Sequence, residues 1–247
     1  VSLPTGLVLG ATGGVGRPIS DDLVKKGVAV HLVGRAQSDV TALAQQLGAS
    51  FSHAEALDTN SLARAVQEAD DGSGIAGLVW AVGSILLKPL AALREEDFIE
   101  TYKLNVSAPA MAIKAAQPAL KAAKGSVLLF SSVAASSGFT SHAAIGAAKA
   151  GVEGLVRSLA AEFAPDIRVN AIAPSLSDTK MAAPLLASPA MTKGIAQMHP
   201  LGRLGTPADI SQMACLLLDN AAAGWITGSV MDIDGGRGNL ATTGRAR

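Results

Sequence analysis

Lys149 carries the strongest chemical signal in the sequence. The stretch Ser141–Phe163 (SHAAIGAAKAGVEGLVRSLAAEF) has helical spacing, with Ile145, Val152, Val156, Leu159 and Phe163 on one apolar stripe. Lys149 falls inside that stripe, one turn after Ile145. An ammonium on a buried face must be paired or hydrogen-bonded, because an unpaired charge away from water is costly. A lysine so placed reads as facing a ligand, and its neighbour Ile145 can neither give nor accept a proton. His142, one turn before Ile145, is a candidate acid on a similar face, because imidazole is the side chain suited to proton exchange. Its plain alternative is a first-turn residue behind a Ser141 or Thr140 cap.

A second constellation suits phosphate. Residues 7–16, LVLGATGGVG, run from a short apolar strand through Gly10, Thr12, Gly14 and Gly16 into a helical pattern opening near Val15. Glycines permit a tight turn and close backbone approach, and a helix N-terminus offers free amides to a pyrophosphate. Glycines also punctuate any strand–helix turn, so position at the first strand and first helix gives the motif its weight. Arg35 follows the second strand (VHLVGR), where the adenosine ribose of a dinucleotide would lie. Gly34 stands where an NAD-preferring site usually has an acid. A guanidinium suits a 2′-phosphate and a carboxylate repels it, so NADP(H) is expected over NAD(H). The plain alternative for Arg35 is a solvated loop cation.

These residues need a frame, and the hydrophobic pattern supplies one. Short apolar runs predict strands over Leu7–Gly10, Val28–Val33, Gly77–Val82, Ser126–Ser131, Ile167–Ala173 and Ser229–Ile233, with a weaker one at Ala49–His53. Helical patterns begin near Val15, Val40, Asn60, Glu95, Ser141 and Pro207. That alternation predicts an α/β domain, 1–247, built on one doubly wound parallel sheet with helices on both faces. The stretch 175–200 holds three prolines and scattered methionines and is the least regular, so a substrate-loop insertion near 175–205 is expected at a strand's carboxyl end.

Composition narrows the function classes. Twenty basic and twenty acidic residues cancel, so neither nucleic acid nor an anionic membrane surface is expected as partner. A single cysteine, Cys215, excludes an internal disulfide and any cysteine-based metal cluster, and no metal is expected. It lies in the apolar run MACLLL and reads as buried filler. No apolar segment is long enough to span a bilayer, and VSLPTGLVLG enters a strand pattern without a signal-peptide pattern. A reducing, cytoplasmic setting fits.

Taken in order, the motifs resemble the short-chain dehydrogenase/reductase family over nearly the whole chain, which implies a Rossmann-type fold. Gly10-xxx-Gly14-x-Gly16 matches the family's cofactor loop, with Leu9 in place of the usual threonine. Asp58 in ALDT matches the acid that contacts adenine. The Asn-Asn-Ala-Gly strand end is Trp80-Ala81-Val82-Gly83 here, so Ala81 and Gly83 are implied at the cofactor. Asn105 in KLNV, Ser132 in LLFSSV and Lys149 match the catalytic asparagine, serine and lysine. Pro174, followed by Ser175 where the family has glycine and ending at Thr179, resembles the segment that packs on nicotinamide. The catalytic tyrosine is missing. Four residues before the lysine and thirteen after the serine both land on Ile145. Tyr102, the only tyrosine, reads as a core or helix-packing residue.

The resemblance implies hydride transfer between nicotinamide and a small apolar or cyclic carbonyl or alcohol. General acid catalysis contributes roughly 10²–10⁴-fold, so its loss slows turnover without abolishing it. Lys149 acting through a water is the expected substitute, with His142 and the loop hydroxyls of Ser136 and Ser137 behind it. The competing readings are a nucleotide-binding pseudoenzyme or regulatory subunit, motivated by Ile145, Trp80 and Ser175, and an engineered change at Ile145. The family commonly forms tetramers, so a homo-oligomer, tetramer or dimer, is implied. The tail GNLATTGRAR is polar and expected to be mobile.

Overall fold

Strands β1 (Thr5–Leu9), β2 (Val30–Gly34), β3 (Ser50–His53), β4 (Ile75–Trp80), β5 (Ser126–Phe130), β6 (Arg168–Pro174) and β7 (Val230–Ile233) make one parallel sheet. Their order across it is β3-β2-β1-β4-β5-β6-β7. The computed structural model describes residues 5–179 and 181–241. The chain winds outward from β1 through β2 to β3, then returns to place β4 on β1's other side, with Leu9 beside Trp80. This reversal leaves a crevice outside the carboxyl ends of β1 and β4, the usual ligand position in such sheets.

Every residue of β1 and β2 is buried, as expected for strands covered on both faces. One face packs α3 (Thr59–Ala69), α5 (Ala108–Ala122) and α6 (Ala143–Phe163) through Leu62, Val66, Ile113, Val152 and Val156. The other packs α1 (Gly16–Lys25), α2 (Gln37–Leu47) and α8 (Pro207–Leu218) through Ile19, Leu23, Val40, Leu43 and Ile210. Cys215 lies in this second layer, and burial pushes its thiol up to about 11. The helix α4 (Glu95–Tyr102) runs into α5 through a π-turn at Lys103–Ser107. Two short helices, α7 (Pro189–Gln197) and α9 (Asn220–Ala223), complete the described residues. No helix of the described residues is long and apolar enough to cross a membrane, and none of their acid, histidine or cysteine side chains group as a metal site.

Several expectations need correction. The helix predicted from Ser141 begins at Ala143, because Ser141 takes a left-handed φ of 66° and His142 becomes the N-cap. Neither Thr140 nor Ser141 caps it with a side chain. The helix predicted near Val40 starts three residues earlier, at Gln37. The segment 175–200 is less irregular than its composition suggests. A 3₁₀ turn at Ala183–Leu186 precedes α7, which Ser188 caps by accepting from the Met191 amide at 3.2 Å. The start of the tail is tied down: Ser137 Oγ donates to the Gly238 carbonyl at 3.2 Å. Residues 242–247 of that tail lie outside the described residues.

Candidate active site

The glycine turn is shaped by what its glycines lack. Gly10 leaves β1 at φ 81°, a left-handed conformation that glycine adopts without a Cβ penalty. A Cβ on Gly16 would lie 2.2 Å from the Gly10 carbonyl oxygen, so only glycine lets α1 start this close to the strand. A Cβ on Gly14 would lie 2.8 Å from Thr179 Cβ, so the loop after β6 rests directly on the cradle. Val15 lines the same cleft.

Arg35 and Asp58 sit further along the carboxyl edge of the sheet, outside that cleft. Arg35 is exposed just after β2. A side chain at Gly34 would meet Val40 Cβ at 3.0 Å and Thr12 Cγ2 at 3.6 Å, so an acid there requires α2 to move. Asp58 is the N-cap of α3, its Oδ1 accepting from the amides of Asn60 (2.9 Å) and Ser61 (3.2 Å).

The catalytic candidates converge at the ends of β4 and β5. Lys149 is 9% exposed, and its Nζ donates to the Phe130 carbonyl at 2.8 Å. Burial brings its pKa down from 10.5 to about 8, because the charged form loses its water. Asn105 sits in the π-turn, where Nδ2 donates to the Thr101 carbonyl at 2.9 Å. Its Oδ1 is buried with no partner among the described residues. A carbon added to Gly83 would lie 3.5 Å from that Oδ1 and 3.8 Å from Lys149 Nζ, so both groups border one space. An unmet buried acceptor costs about 1–3 kcal/mol, and a donor from water or ligand would relieve it. Ser132 Oγ accepts from the Ala134 amide at 3.2 Å, which leaves its own O–H free to donate. Ser131 Oγ lies 2.8 Å from Glu153 Oε1 and 3.2 Å from the Lys149 carbonyl, joining α6 to the end of β5.

Ala81, Pro174 and Thr179 join Ser131, Ser132 and Lys149 around one cavity of about 230 Å³, with Asn105 behind Gly83 and not in its lining. Ile145 lines it at 5% exposure, so the tyrosine position is apolar and enclosed. His142 also lines it. Its Nδ1 donates to the Thr140 carbonyl at 2.8 Å, which leaves Nε2 without that partner. Tyr102 is elsewhere: 49% exposed, with its ring over Gly151 of α6. That is helix packing with one face open, not core.

Sequence reasoning did not reach Arg237, Phe139 or His199. Arg237 lines the cleft, its Cζ 4.7 Å from the Phe139 ring centroid, and Phe139 in turn lies 5.4 Å from the His142 ring. An arginine between glycines directly after the last strand (GGRG) was the available signal.

The glycine cradle, the unmet Asn105 Oδ1 and the buried ammonium beside open Gly83 together fit a dinucleotide lying across the switch point. Comparison with known proteins agrees. A family profile described as enoyl-(acyl carrier protein) reductase matches residues 10–237. A tropinone reductase homologue of Arabidopsis thaliana is 32% identical over 243 residues, spanning 94% of this chain and 91% of that protein. The trans-4-hydroxycyclohexanecarboxylate dehydrogenase of Sinomonas cyclohexanicum is 30% identical, spanning 93% and 91%. A solved short-chain type dehydrogenase/reductase from Mycobacterium ulcerans superposes with a TM-score of 0.89 at 29% identity, covering 96% of this chain and 91% of that one. The chain belongs to the short-chain dehydrogenase/reductase family of oxidoreductases, which use NAD(P)(H).

Proposed function

We propose that the chain is an NADP(H)-dependent oxidoreductase acting on a small apolar or cyclic carbonyl or alcohol, by a proton path that dispenses with tyrosine. The observation that carries this reading is Lys149: a buried ammonium with its pKa lowered to about 8, sharing a cleft with the free O–H of Ser132 and, beside Gly83, bordered by the unmet Oδ1 of Asn105. NADP(H) is favoured by Arg35 and by the crowding that Val40 imposes at Gly34. A ring-shaped substrate agrees with the name of the Sinomonas relative.

When bound, the dinucleotide supplies or accepts the hydride. Gly10, Thr12, Gly14, Val15 and Gly16 would hold its pyrophosphate, Arg35 and Asp58 its adenosine half, and Ala81, Gly83, Pro174, Thr179 and Lys149 its nicotinamide half. Ser132 donates its hydroxyl hydrogen to the substrate oxygen and stabilises charge developing there. Lys149 passes a proton through a water occupying the space a phenol would fill beside Ile145. His142 Nε2 is the secondary donor. The whole chain is read as one domain, with 175–205 as its substrate segment, in a reducing cytoplasmic setting. Phe98, Ile99 and Tyr102 border an apolar groove with Ala144, Ala147 and Ala148, a surface suited to a second copy in a homo-oligomer.

The test pairs binding with turnover. NADPH is titrated by tryptophan fluorescence, and cyclic ketones are screened against wild type and Ile145→Tyr. Wild type should bind NADPH and turn over slowly, and the tyrosine should raise the rate by roughly 10²–10⁴-fold. The enclosed apolar Ile145 favours a second reading, a nucleotide-binding pseudoenzyme. Tight NADPH binding with no turnover in either protein would establish that reading in place of the first.

A further inference from the structure

Arg237 is a cation without a counter-ion inside the cleft. It pairs with no carboxylate among the described residues. Asp234, three residues earlier, is occupied: Oδ1 accepts from the Gly236 amide at 2.8 Å and Oδ2 from the Gly238 amide at 2.6 Å. Among the described residues the guanidinium has two contacts with acceptors, both long: Nη1 to Ser175 Oγ at 3.5 Å and Nη2 to Met198 Sδ at 3.6 Å. Five N–H donors are thereby left with almost nothing to hold. Burial alone acts on its pKa, downward, with no acid offsetting it.

The group is nonetheless held in place. Phe139 covers one face of the guanidinium plane, which leaves its hydrogen-bonding edge open. Ser175 is fixed from behind by His199, a residue 2% exposed. His199 Nδ1 donates to the Ile195 carbonyl at 2.9 Å, so in the neutral ring Nε2 accepts the Ser175 hydroxyl hydrogen at 2.9 Å. The lone pairs of Ser175 Oγ are thus left for Arg237. Gly238 packs against Val133, its absent side chain leaving 3.4 Å to Val133 Cγ1, which ties the arginine's segment to the Ser132 loop. Around it the cleft wall is apolar, with Met181 and Leu185 on the 175–205 segment.

We propose that Arg237 is the substrate-anion site: the substrate carries a carboxylate, which the guanidinium edge holds while an apolar body lies against Phe139, Met181 and Leu185. One fork-shaped cation matches one carboxylate in charge and geometry; a phosphate dianion would leave a charge unmet. Ser175, where the family has glycine, and His199 are positioning residues for it. The assignment rests on the oxidoreductase reading only for the substrate's reacting end.

Calorimetric titration tests the site without requiring turnover. Cyclohexanecarboxylate, its neutral carboxamide and cyclohexyl phosphate are titrated into the full chain with and without saturating NADP⁺. The carboxylate should bind at least about tenfold tighter than the carboxamide, and Arg237→Met should weaken it by about tenfold to a hundredfold. NADP⁺ and carboxamide affinities should stay unchanged in that variant. Arg237→Gln, which keeps polarity and removes charge, serves the same comparison should the methionine variant not fold. Equal binding of carboxylate and carboxamide, tighter binding of the phosphate ester, absence of carboxylate binding, or an unaffected Arg237 variant overturns the proposal. Arg237-dependent carboxylate binding in a protein that reduces no ketone would refute the reaction and keep the site. Turnover of neutral ketones without carboxylate preference would do the reverse.

Discussion

Replacing Lys149 by methionine should stabilise the cofactor-free protein at neutral pH. The ammonium is 9% exposed and has one carbonyl partner, Phe130, and its pKa falls from 10.5 to about 8. At about 1.4 kcal/mol per pH unit, that fall corresponds to roughly 3 kcal/mol of penalty on the charged folded state. Losing the hydrogen bond to Phe130 returns about 1 kcal/mol, so the net gain is about 2 kcal/mol. In a chain of this size that raises Tm by about 4–8 °C. The pH dependence has a definite sign. Between about 8 and 10.5 the unfolded chain holds more protons than the folded one, so wild-type stability rises through that window. The penalty is complete below pH 8, and the gap between variant and wild type should close by about pH 10.5. Thermal melts at pH 7, 8, 9 and 10 without cofactor check this. A variant no more stable at pH 7, or a gap constant to pH 10, would refute the account of Lys149 as a charge held under desolvation. If Lys149 holds the nicotinamide half of the cofactor as proposed, added NADPH should narrow or reverse the gap.

Two further outcomes follow from groups at the other end of the sheet. Arg35→Gln should weaken NADPH binding by about tenfold to a hundredfold and leave NADH binding within about twofold, measured by fluorescence titration; equal losses for both cofactors would remove Arg35 from the phosphate site. His31 is 2% exposed between Ser50 Oγ (2.9 Å) and Ser52 Oγ (2.6 Å), and Ser52 donates onward to Glu68. Burial lowers the His31 pKa, so the folded state resists its protonation and stability should fall as pH drops below about 6.5. His31→Gln should flatten the loss of urea midpoint between pH 7 and 5, and an unchanged slope would place the acid sensitivity elsewhere.

The sheet was legible because its strands are continuous apolar runs: Leu7–Leu9, Val127–Leu129 and Ala171–Ala173 need no tertiary information to be recognised. Lys149 was legible for the opposite reason, as a charge on an apolar stripe. The start of α6 was not, since the left-handed Ser141 depends on the chain returning to meet Lys88, whose amide donates to the Ser141 carbonyl at 3.0 Å. The Arg237 site was hidden by sequence distance. Phe139, Ser175, His199 and Arg237 are spread over nearly a hundred residues and none belongs to a periodic pattern. Tyr102 shows the limit from the other side: one turn from Asn105 in sequence, it lies half exposed over Gly151 of α6 and outside the cleft lining.

That π-turn makes the site sensitive to chain length as well as residue identity. A π-turn accommodates one extra residue by widening a single turn, and deleting that residue returns the turn to α geometry and re-aims the side chains within it. Asn105 could then keep its identity and lose its aim, while the long helix Glu95–Ala122 remained helical throughout. A one-residue deletion within 103–107 is therefore a way to abolish the polar end of the cleft without substituting any residue that lines it. In a lineage of such chains, site identity would be recorded in spacing between Glu95 and Ala108 as much as in the letters themselves.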